Sequence, residues 1–220
     1  MIKEMNKSLR LCRYAYGLTG NLWLMAAIFA GGVLSSFLDP AGSMNSWAGS
    51  FLILVMPMCL LQILSSAGAS HMVQTAPMRK KLETAVPAII NFLYGLFGYA
   101  VIVLIKVIQV KTGMYAAEDV SFQLLFSAGI VLLVDFYSGI AYKKYYLGTG
   151  LFFLCAMVCG GISGIGIYRG WGANVHPAAA VCVGIAALFL GAALQYGLSL
   201  LFYKTPMDKN AQLSGLRKRM

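Results

Sequence analysis

Six stretches of this chain, residues 17–38, 47–70, 86–108, 121–142, 147–168 and 177–203, are almost unbrokenly apolar. Each is about as long as the roughly 20 residues a helix needs to cross a bilayer. Its solvent is therefore lipid, and the expected class is an all-α integral membrane protein with six transmembrane helices. Composition agrees: 60% of residues are hydrophobic and 11% charged, against about a quarter charged in a soluble domain. Nothing remains for a second, soluble domain. The first stretch is longer than a signal-peptide core and lacks a small-x-small cleavage site, so it is expected to stay as a helix.

The net charge of +10 does not point to nucleic acid, because the basic residues form short clusters between apolar runs rather than one patch. They report topology. Six crossings put both termini on one side, and that side collects Lys3, Lys7, Arg10, Arg13, Arg79, Lys80, Lys81, Lys143, Lys144, Lys204, Lys209, Arg217, Lys218 and Arg219. Only Lys106, Lys111 and Arg169 fall opposite, so 14 of the 17 basic residues mark the cytoplasmic face. Residues 1–16 carry Ile2, Met5, Leu9, Cys12 and Tyr16 on one helical face and Lys3, Lys7, Arg10 and Arg13 mostly on the other. This suits an amphipathic helix lying along the inner leaflet; the alternative is a disordered basic anchor. Residues 17–203 form the membrane domain and 204–220 a basic cytoplasmic tail. Pro87 and Pro177 fall in first helical turns, where a missing N–H is harmless, whereas Pro57 lies within the second span and should kink it.

Helices in lipid associate through small residues and shared hydrogen bonds. Ala180, Gly184, Ala187 and Gly191 make one small stripe on the sixth span. Asn91, Gly95 and Gly98 repeat it on the third, and Gly160, Gly161, Gly164 and Gly166 make the fifth broadly small. Tyr137, Tyr142, Tyr145, Tyr146 and Tyr168 are expected at membrane interfaces. Asp135 is the one carboxylate inside a span, and an ionised carboxylate in hydrocarbon needs a partner or water. At about 1.5 Å per residue it lies about 12 Å from the inner end of its helix, with Gln62 and Gln195 at similar depth and Asn91 shallower. Two readings stand open: a polar wall of a cytoplasm-facing cavity or proton site, and interhelical hydrogen bonds that fix packing. No disulfide or metal is expected from the five cysteines, which lack a CxxC. Gly161-Ile162-Ser163-Gly164 spells the GxSG of rhomboid proteases, but Ser163 lies near the outer end of its helix and His176 in the next loop or helix start, which argues against a nucleophile and its base in reach.

The loop between the second and third spans, residues 71–85, has a turn-setting proline and then a basic cluster: Ala76, Pro77, Met78, Arg79, Lys80, Lys81, Leu82. An ordinary positive-inside loop would also read this way. Here the chain resembles the small bacterial permease subunits of ABC type-2 exporters, including peptide and antimicrobial-peptide exporters, which carry a Leu-Pro-x-Ser-Arg-Lys-x-Ile-like stretch in this place. Pro77, Arg79, Lys80 and Leu82 match; Ala76 and Met78 depart from the pattern. The resemblance implies a multi-pass protein of a bacterial plasma membrane, with Pro77, Met78, Arg79, Lys80, Lys81 and Leu82 as a coupling segment docked on a separate ABC ATPase. ATP and magnesium would sit on that partner, since this chain has no GxxxxGK[ST] and is itself no enzyme. It also implies a second permease, identical or similar, and a peptide or other amphipathic cargo passing Gln62, Asn91, Asp135 and Gln195. Rival readings are a proton-coupled secondary transporter using Asp135, a six-helix substrate-binding subunit of a vitamin importer, and an immunity or assembly protein.

Overall fold

The computed structural model describes residues 18–38, 48–68, 79–168 and 175–206. The expected amphipathic N-terminal helix and most of the basic tail lie outside the described residues. Among the described residues there are eight helices: α1 Leu18–Leu38, α2 Ala48–Val55, α3 Pro57–Gly68, α4 Arg79–Glu83, α5 Ala85–Lys111, α6 Ala117–Ala141, α7 Tyr145–Tyr168 and α8 Pro177–Leu201. There is no strand among the described residues. Four segments, Gly20–Leu38, Arg79–Lys111, Asp119–Ala141 and Pro177–Leu201, are long and apolar enough to cross a membrane. The chain is thus an all-helical membrane protein. Ala48–Leu61 and Tyr145–Gly161 are shorter apolar helical stretches.

Most boundaries fall where local chemistry puts them. Pro177 opens α8 behind the His176 N-cap, whose ring Nδ1 accepts from the Ala178 N–H at 3.2 Å. Gly113, at φ 73°, turns the chain between α5 and α6 in a backbone region that only glycine enters freely. Pro57 does more than kink the second span: it separates α2 from α3.

Contacts fix the relative directions. Gly32 faces Ile53 while Gly49 meets Ser36, so α1 and α2 are antiparallel. Phe29 stacks on Phe97 at 5.8 Å and Gln109 Nε2 donates to Ser36 O at 2.6 Å, so α1 and α5 are parallel. Asn91 meets Gln195, Gly95 meets Leu188, and Tyr99 meets Gly184, so α5 and α8 are antiparallel. Asp135 lies against Gly191 and Gly139 against Gln195, which makes α6 and α8 parallel and in register. Gly148 on Ala141 and Tyr137 on Phe152 set α7 antiparallel to α6. The centre is α5, α6 and α8, with Tyr99, Ile102, Leu124, Val131, Val134, Ala180 and Leu188 buried among them.

Burial sorts several of these features. Tyr137 and Tyr142 are buried against Leu61, Leu64 and Ala141, whereas Tyr145 and Tyr146 are exposed. A Cβ at Gly160 or Gly161 would meet no described atom within 4 Å. Lys106 is buried on α5, its Nζ 4.9 Å from the centre of the Tyr115 ring.

A Cβ at Gly49 would strike the Ser36 hydroxyl and the Gly32 carbonyl, whereas one at Gly197 would meet nothing within 4 Å. Gly49→Ala is expected to cost about 1–3 kcal/mol, and Gly197→Ala to stay within about 0.5 kcal/mol of neutral. Thermal unfolding of the two variants in one detergent checks the contrast.

Candidate functional site

Two polar groups sit inside this apolar bundle, one above the other on the same helices. The first lies where α4, the α6–α7 turn and the turn after α8 meet. Arg79 Nε pairs with Glu83 at 3.0 Å, one helical turn along α4. Lys143 Nζ pairs with the other Glu83 oxygen at 2.5 Å. Both Glu83 and Lys143 are buried, at 1% and 2% exposure, so a carboxylate and an ammonium have left water together. Lys143 Nζ also lies 5.9 Å from the centres of the Tyr142 and Tyr203 rings, whose π-faces favour a cation. The short basic helix is thereby fastened to the end of α6. Its remaining cations, Lys80 and Lys81, are exposed, and Leu82 is half-buried; Pro77 and Met78 lie outside the described residues.

The second group is the polar layer. Asn91 Nδ2 on α5 donates to Gln195 Oε1 on α8 at 3.3 Å, fully buried. Asn91 Oδ1 and Gln195 Nε2 have no hydrogen-bond partner among the described residues. Asp135 is buried beside Gly191, where a Cβ would strike its carboxylate, and no described residue donates a hydrogen bond to it. Because α6 and α8 are parallel, with Asp135 level with Gly191 and Gly139 level with Gln195, Asp135 stands one turn deeper than the Asn91–Gln195 pair. These residues therefore occupy two adjacent levels, not the single layer expected from counting. Backbone placement puts Gln62 on α3; its side chain lies outside the described residues. Asp135 is eight positions from Lys143 and Gly139, level with Gln195, is four, so the ion cluster lies about 12 Å below Asp135 and about 6 Å below the Asn91–Gln195 pair.

The small stripe of α8 is what admits these groups: Ala180, Gly184, Ala187 and Gly191 are all buried. Gly184 faces the Tyr99 ring and hydroxyl, and that hydroxyl lies 3.4 Å from Ala180 O. His176 caps α8 through its ring Nδ1, and the side chain of Ser163 lies outside the described residues. No His, Cys, Asp and Glu cluster among the described residues could hold a metal. Sequence reasoning missed Glu83; the signal was present, since a lone carboxylate four residues after Arg79 in a basic run is placed for an i,i+4 pair.

The fold and these two groups define a helical membrane protein with a buried polar interior and a basic helix fastened beneath it. No protein-family model, curated protein or solved structure matches the chain.

Removing one partner of a buried ion pair strands the other charge. Glu83→Ala is expected to destabilise the protein by about 3–5 kcal/mol, and Glu83→Leu with Lys143→Met to recover most of that loss. A thermal unfolding series of the single and double variants reads the difference.

Proposed function

We propose that this chain is the membrane subunit of an ATP-driven exporter of the ABC type-2 class, spanning a bacterial plasma membrane six times with both termini in the cytoplasm. The observation that carries this reading is α4. It is a short basic helix between the second and third spans, with Lys80 and Lys81 exposed and its own end held to α6 by the Glu83–Lys143 pair. A segment that must pass a partner's movement to a membrane bundle needs both properties: an exposed docking face and a stiff attachment.

The helix directions support six crossings. Counted as one span, α2 with α3 opposes α1 and α5, while α6 and α8 run together against α7. Glu83, Lys143 and Tyr203 then share one end with the basic clusters, as the positive-inside rule asks of a cytoplasmic face. On this reading ATP and magnesium bind a separate ATPase, and a second permease, identical or similar, completes the pathway. A peptide or other amphipathic cargo would pass Gln62, Asn91, Asp135 and Gln195. The burial of Asp135 between α6 and α8 also favours a second reading, a proton-coupled transporter without an ATPase.

Arg79 has a structural partner, so the docking test uses the exposed pair alone. Lys80→Ala with Lys81→Ala is expected to leave folding and membrane insertion intact while reducing co-purification of a P-loop ATPase at least several-fold, as read by mass spectrometry of the tagged complex. A wild-type chain that purifies folded and alone would refute the exporter reading in favour of the second.

A further inference from the structure

Pro57 has no N–H, so the carbonyl four residues earlier, Ile53 O, loses its helical donor, and the proline ring presses on that same carbonyl. The helix stops: α2 ends at Val55 and α3 begins at Pro57, where the Cys59 N–H turns back to Met56 O at 2.9 Å. Ile53 is fully buried, and an unmet carbonyl there has no water to turn to. The hydroxyl of Tyr94, reaching across from α5, lies 3.2 Å from Ile53 O and 2.9 Å from Met56 Sδ. A phenol has one proton to give and a thioether is a weak acceptor, so the carbonyl takes it.

The two halves of this span are attached differently. α2 is fixed to α1 where Gly32 and Gly49 let the backbones close, and to α5 where Ile53 fills the space beside Gly98. α3 sets Leu61 and Leu64 against Tyr137, Ala141 and Tyr142 near the end of α6, and it leads along the chain towards α4. Tyr94 is one turn from Asn91, so the break stands beside the polar layer.

We infer that the Met56–Pro57 break is a hinge between a fixed outer half and a movable inner half of the second span, and that Tyr94 is a positioning residue that holds it by supplying the donor Pro57 lacks. Bending there is opposed by one backbone hydrogen bond fewer than in an unbroken helix, because Ile53 O has no N–H at residue 57 to hold it. Movement of α3 about this point swings its face away from α5 and α6 and opens the polar layer from the side of α4. That α4 drives the movement rests on the exporter reading; the hinge and the role of Tyr94 do not.

The test is a double-mutant cycle on the full-length protein in lipid nanodiscs. Tyr94→Phe is expected to lower Tm by about 2–6 °C. In a Pro57→Ala background, where residue 57 regains its N–H, the same substitution is expected to change Tm by less than about 1 °C. Equal losses in both backgrounds would overturn the assignment of Tyr94. Hydrogen exchange is expected to slow about tenfold at the amides after the break in Pro57→Ala, and unchanged exchange would overturn the hinge. Pro57→Ser restores the same donor and serves if the alanine variant expresses poorly. A wild-type chain that captures no ATPase but keeps the exchange contrast would remove the driver and leave the hinge standing.

Discussion

Hydrocarbon neither donates nor accepts a hydrogen bond, so every polar group within the bundle must be met by the protein itself. The burden falls on one helix. Asn91, Tyr94, Tyr99 and Gln109, all on α5, reach respectively to Gln195 on α8, Ile53 O on α2, Ala180 O on α8 and Ser36 O on α1. Each such bond in a membrane contributes only about 0.6 kcal/mol on average, so none alone holds the bundle. What they decide is register, because each acceptor is reached at only one sliding position. The close approach that lets them form comes from missing side chains: Gly49 against α1, Gly139 and Gly191 between α6 and α8, Gly184 under Tyr99.

The Arg79, Glu83 and Lys143 cluster answers a different requirement. A buried ion pair is weak evidence for stability, since an apolar pair of equal shape often does as well. Its value here is directional. Apolar contacts would let a five-residue helix roll on the bundle at little cost, whereas a carboxylate shared by two cations has one favourable arrangement. With α4 so held, Lys80 and Lys81 present their charge at a defined place relative to α6. On the exporter reading, an exposed lysine pair on a loose loop would attract the ATPase without transmitting anything.

What the sequence made legible follows from which signals are local. The apolar runs place α1, α5, α6, α7 and α8 within a few residues of their ends, because a run of this length has few ways to be buried. The proline at 177 sits at the first position of its helix for the same reason. The small stripe of α8 was readable from spacing, since it depends on periodicity within one helix, whereas counting set Asn91 shallower than Gln195 and did not pair them. The rest was not readable from spacing. Tyr94 acts on a carbonyl 41 positions away, Glu83 on a lysine 60 away, and neither pairing leaves a local trace. Tyr137 and Tyr142 matched an interfacial belt by position along the axis, but which way a side chain faces around the axis decides burial. The burial of Lys106 is of the same kind: its place along α5 sets its depth, while its direction around the axis brings it to the Tyr115 ring.

A single mechanical consequence joins these features. From Lys143, in the turn that closes α6, to Asp135 in the polar interior is about 12 Å, with α6 unbroken up to Ala141. Along the second span, the path from α4 through α3 stops at Pro57. On the exporter reading, a push on α4 would meet two routes of unequal stiffness: a helix clamped to α8 by glycine contacts, and a short segment hinged at its far end. Strain goes where it costs least. On that reading the route through α3 would yield, α6 with α8 would stay as a frame, and the polar groups of α5 and α8 would be uncovered on the side facing the basic helix. Proline and glycine thus do opposite work at one depth of the bundle, the first releasing a helix from its neighbours and the second locking two together.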